Sequence, residues 1–142
     1  MPKPDRVRHD NMAATILLVD DDPLQAYMCK ALLDKWFADV RRVADAAEAL
    51  CLVEQPQFAG DLRLVISRDR LPGIGGPAFV EELHNRLPQL PVLVIGEDGQ
   101  WPADSKGAHV RFLPRVSAAD EIVSTASQML TKNGSMSGAK VA

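Results

Sequence analysis

Three consecutive aspartates, Asp20, Asp21 and Asp22, follow the apolar run "TILLV", and a second apolar run ends in Ser67, Arg68, Asp69 and Arg70. Gly96 and Glu97 close a third run, and Pro114 and Arg115 a fourth. Carboxylates gathered at such ends place negative charge in a small space, and arginines supply fixed positive charge. A guanidinium fork pairs bidentately with a carboxylate, or clamps a small anion. Two chemistries therefore suit these residues: internal neutralisation of an acidic pocket, or capture of an anion by Arg68 and Arg115. Two plainer readings stand beside them. The aspartates before Pro23 also suit a helix N-terminus, where carboxylates favour the helix dipole, and Arg68 also suits an exposed surface position.

The elements that position these residues follow from the apolar pattern. "TILLV" (15–19), "ADVRRV" (38–43), "LRLVIS" (62–67), "PVLVIG" (91–96) and "HVRFL" (109–113) read as five strands. Helical patterns alternate with them. The first runs from Asp22 as N-cap and Pro23 at the first helical position, with Leu24, Met28, Ala31, Leu32 and Lys35 on one mostly apolar face. In the second, Asp45 and Glu48 have capping-box spacing, and Ala46, Ala49, Leu50 and Val53 form the inner face. A third opens at "GGPAF" and stops at Pro88, and a last one starts from Ser117 as cap. The segment 97–108 holds the fourth helical position but contains Gly99, Pro102 and Gly107, so a short or irregular helix is expected there. Near-continuous apolar strands alternating with helices predict an α/β fold, a five-stranded parallel sheet covered on both faces. In such sheets ligands bind outside the carboxyl ends of the strands, where the charged residues above are gathered.

The chain has 142 residues, about one domain, and its domain is expected at 15–131 between a flexible arm (1–14) and a flexible tail (132–142). A net charge of −3 gives no basic field to draw it to nucleic acid or anionic lipid. The start lacks the apolar core of a signal peptide, and no run approaches the roughly 18 apolar residues of a membrane span. Cys29 and Cys51 match no metal or disulfide spacing and read as buried free thiols in a reducing, cytoplasmic setting. His9, His84 and His109 are scattered, Ser67 has no visible His/Asp relay, and "GIGG" is not a phosphate-binding loop. Trp101 reads as either a lid over a neighbouring helix or an exposed binding anchor.

Taken together, "ILLVDDDP" (16–23), "DAAEAL" (45–50), "LVISRDRLPGIGG" (64–76), "PVLVIG" (91–96) and "GAHVRFLPR" (107–115) resemble the receiver domains of bacterial two-component response regulators. The resemblance implies a flavodoxin-like sheet of strand order 2-1-3-4-5. It also implies phosphoryl transfer from a histidine kinase to an aspartate at the end of the third strand, assisted by Mg²⁺. By that resemblance Asp20 and Asp21 match the metal-holding carboxylates, and Phe112 the switch aromatic. The phosphate-accepting position, three residues before the Leu-Pro-Gly turn, is Arg68. The Thr or Ser of the fourth strand is Gly96, and the lysine of the fifth is Arg115, with Val116 where a proline normally follows. Arginine keeps its proton in proteins and cannot accept a phosphoryl group as aspartate does.

The expectation is thus an atypical receiver without catalytic residues or cofactor, with Mg²⁺ relevant only if the pocket still functions. It would bind a protein partner: a histidine kinase, another regulator or an output protein. A homodimer through the face of helix four, strand five and helix five is a further expectation, with Trp101 and Phe112 at the contact. Direct nucleic-acid and membrane binding are not expected. Two alternatives stay open: a phosphorelay receiver with Asp69 as shifted acceptor, and a small-anion or nucleotide sensor in the carboxyl-end crevice.

Overall fold

The computed structural model describes residues 14–97, 109–115 and 119–141, with side chains as far as Thr131. Five parallel strands form one sheet: β1 (Thr15–Val19), β2 (Val40–Val43), β3 (Leu62–Arg68), β6 (Val92–Gly96) and β7 (Val110–Pro114), in the order β2-β1-β3-β6-β7. That is the 2-1-3-4-5 order, with a two-stranded ribbon, β4 (Arg70–Leu71) and β5 (Ile74–Gly75), inserted after β3. Side chains alternate across a strand, and the two faces build separate cores. Leu17, Val19, Val65, Val92 and Val94 pack on one side against α2 (Ala46–Val53) and α4 (Gly76–Arg86), through Ala49, Val53, Phe79 and Leu83. Ile16, Leu18, Leu64, Ile66 and Leu93 pack on the other, against Leu33 of α1 (Pro23–Asp34) and Ala126 and Met129 of α5 (Ala119–Val141).

Local chemistry accounts for the element ends. The Asp22 carboxylate accepts from the Leu24 and Gln25 amides (3.0 and 3.3 Å) and Pro23 opens α1. Asp45 caps α2 through the Glu48 amide at 2.8 Å. The β4–β5 turn uses Pro72, whose ring fixes φ, followed by Gly73 at φ +84°, a conformation that side chains with a Cβ disfavour.

Three features differ from the sequence reading. A short helix, α3 (Pro56–Asp61), fills the link before β3, with Pro56 at its first position. Helical backbone in α5 continues through Val141, across the stretch expected as a tail; its Gly and Ser residues weaken a helix, yet no proline interrupts it. On α1, the expected apolar stripe faces outward except for the half-buried Leu32. Leu24 and Met28 are 67% and 59% exposed, and Ala31 and Lys35 are also exposed, while Ala26 and Leu33 face the sheet. An alanine at this contact lets the helix approach the strands closely. The fourth helical segment, Trp101, Val116 and the Ser117 cap lie outside the described residues.

Candidate functional site

Parallel register assembles the site. Val19 stands beside Ser67, Arg68 beside Ile95, and Gly96 beside Pro114. One step beyond each pair, at the carboxyl ends, Asp20 neighbours Arg68, Asp69 neighbours Gly96, and Glu97 neighbours Arg115. Asp20 and Arg68, and Glu97 and Arg115, are in polar contact, while Asp69 occupies the space beside Gly96 where a Cβ would stand.

Asp20 is buried, and its Oδ1 accepts from the Asp22 amide at 2.9 Å and from Arg68 Nη1 at 3.3 Å. The Arg68 side chain is 22% exposed and that of Asp20 7%, so the pair is largely shielded from water. Arg42 adds a brace: its Nε and Nη2 donate to the Asp20 carbonyl at 3.1 and 2.7 Å. Asp21 is exposed and does not line the cavity, so of the expected pair only Asp20 faces inward.

Asp69 turns the other way, across β6. Its amide donates to the Ile95 carbonyl at 3.1 Å, and its Oδ2 accepts from the Glu97 amide at 3.0 Å. A Cβ on Gly96 would overlap the Asp69 carboxyl carbon and Cβ, so this arrangement requires glycine there. Arg115 does not reach the aspartates; its Nη1 donates to Glu97 Oε2 at 3.1 Å, and its amide to the Gly96 carbonyl at 2.7 Å. Phe112 is half-buried and packed against the core.

A cavity of about 70 Å³ lies among these groups, walled by Asp20, Cys29, Arg68, Ile95, Arg115 and Ile122. Ordinary ligand pockets begin near roughly 300 Å³, so the space among the described residues is too small for one. The Cys29 thiol on its wall is pushed up to about 11 by burial and, secondly, by the negative charge of Asp20. It stays protonated at neutral pH and is a poor nucleophile. The donor set does not fit Mg²⁺ either. That ion needs near-octahedral oxygen ligation, and here the inward carboxylate is already held by a guanidinium. No group of three or more His, Cys, Asp or Glu poised for a metal occurs among the described residues.

Sequence reasoning singled out Asp20, Arg68, Gly96 and Arg115, and the structure brings all four to one edge. It missed Arg42 and the double role of Glu97, whose amide and carboxylate tie Asp69 to Arg115. Their only signal is strand register, which no local pattern displays.

Comparison with known proteins places these residues in context. The family profile of the response regulator receiver domain matches residues 16–112. The sensor kinase CckA of Brucella abortus (strain 2308) is 29% identical over 127 residues, covering 84% of this chain. This chain spans only 13% of that relative's length. Among solved structures, the receiver domain of a hybrid histidine kinase CckA is 28% identical with a TM-score of 0.67, covering 82% of this chain and 99% of that one. The receiver domain of an HD domain-containing protein from Pseudomonas fluorescens Pf-5 gives 0.74 at 22% identity, covering 88% and 92%, a likeness of fold alone.

Proposed function

The chain belongs to the response regulator receiver domain family, and we propose that it is an atypical receiver of two-component signalling that acts by binding proteins and accepts no phosphoryl group by the usual route. One observation carries this reading: at the acceptor position Arg68 holds the Asp20 carboxylate at 3.3 Å. The positive charge that a metal ion would bring is built into the chain. Asp69, the nearest alternative acceptor, has its Oδ2 engaged by the Glu97 amide. Gly96 offers no hydroxyl to read a phosphoryl group, so switching by that route has no link to Phe112. Any change of state then follows from a partner with different affinity for two conformations.

A histidine kinase, another regulator or an output protein is the proposed partner class. Cys29 is half-buried and Cys51 exposed, not buried as expected, and both are free, which accords with a cytoplasmic setting. No helix among the described residues is long and apolar enough to cross a membrane.

The test is intact mass after incubation with Mg²⁺ and a small acyl-phosphate donor, with Asp69→Asn in parallel. Neither protein is expected to gain a phosphoryl group. A stable adduct on the wild type that disappears in Asp69→Asn would overturn the reading and make Asp69 the acceptor.

A further inference from the structure

The first helix is apolar on two opposite sides. Its inner side, Ala26 and Leu33, packs on the sheet. At 3.6 residues per turn, Leu24, Tyr27, Met28, Ala31 and Lys35 fall within an arc of about 100° on the far side. Leu24, Tyr27 and Met28 are 67%, 73% and 59% exposed, and Trp36, just past the helix, is 48% exposed. These four are the large exposed hydrophobic side chains among the described residues, and they share one helix and its end. Burying such residues against water is favourable, and Tyr, Trp and Met are the types enriched at protein contacts.

Charge selects the occupant. On the flank of the stripe, Lys30 and Asp34 neutralise each other at 2.8 Å. What remains is Asp21 at the entry of the helix and Lys35 at its exit, both exposed and neither with a partner among the described residues. One end is acidic and the other basic, with the 12 helical residues between them spanning about 18 Å at 1.5 Å per residue. Met28 is midway between them in the sequence.

We propose that this face binds a second copy of the chain, α1 against α1, antiparallel about a two-fold axis at Met28. In that arrangement each Met28 meets its counterpart, and Leu24 meets the Ala31–Leu32 turn of the second copy. Asp21 of each copy then stands opposite Lys35 of the other, at both ends. A two-fold contact needs such self-complementarity, in which residue i meets j and j meets i. Antiparallel packing also sets the helix dipoles head to tail. Sedimentation reads self-association and intact mass reads phosphoryl transfer, so this proposal and the proposed function can fail separately.

Sedimentation of the whole chain from micromolar to near-millimolar concentration is the experiment. The wild type is expected to dimerise reversibly, and Met28→Glu to be monomeric with an unchanged circular dichroism spectrum. Lys35→Glu should weaken the dimer by about three- to tenfold, as rim ion pairs do, and adding Asp21→Lys should restore it. A wild type that stays monomeric throughout, with or without another protein bound on this face, overturns the proposal. A dimer indifferent to Met28→Glu overturns it as well, because the contact then lies elsewhere.

Discussion

Arg68 changes what its neighbouring carboxylate is available to do. A buried Asp20 without a counter-charge would meet a large desolvation cost, and the guanidinium at 3.3 Å offsets it. Removing one partner of a well-buried pair costs about 3–5 kcal/mol, and the partial exposure of Arg68 puts this case at the low end. Arg68→Asp is more informative than truncation, because it places a second carboxylate where the guanidinium stood. The variant is expected to melt well below the wild type without metal, and to recover much of that loss in millimolar Mg²⁺. Wild-type melting should not respond to Mg²⁺, since Arg68 already neutralises the site. Thermal melts of both proteins with Mg²⁺ and with a chelator check this, and a wild type stabilised as strongly as the variant would refute the built-in counter-ion.

At the ends of the strands, two positions depend on each other. Asp69 lies over Gly96 because its Oδ2 takes the Glu97 amide, and the absence of a Cβ on Gly96 leaves room for it. The overlap involves the Asp69 Cβ as well as its carboxyl group, so a small rotation of the side-chain tip does not relieve it. Gly96→Thr, which installs the residue type expected of a phosphate-reading receiver, should therefore destabilise by about 1–3 kcal/mol, the range for overpacking. In an Asp69→Gly background the same change should cost far less. Denaturant melts of the four proteins give the coupling energy, expected at about 1 kcal/mol or more for residues in contact. Simple additivity would mean that the strand ends relax independently.

Much of the whole molecule is legible from local chemistry, and its limits have a physical cause. Apolar runs gave away the five strands, and the residue types of Asp22 and Asp45 announced helix caps whose hydrogen bonds the structure contains. Which side of α1 faces inward was not legible, because both sides are apolar and only packing against the sheet decides. Nor was the partner of Arg115, since Glu97 reaches it only through the β6–β7 register. The two-sided core itself makes a prediction. Val65 and Ile66 are consecutive and fully buried, yet they belong to different clusters on opposite faces of the sheet. Val65→Ala should cost about 2 kcal/mol and Ile66→Val about 1 kcal/mol, by loss of buried methyl groups and the space they leave. Since they share no cluster, the double variant should lose the sum, to within about 0.5 kcal/mol, despite their adjacency in the chain. Urea melts followed by circular dichroism and by fluorescence should coincide for all three variants, as they do when both layers unfold with their common sheet. A non-additive double variant, or transitions that separate, would mean that the sheet passes strain from one core to the other.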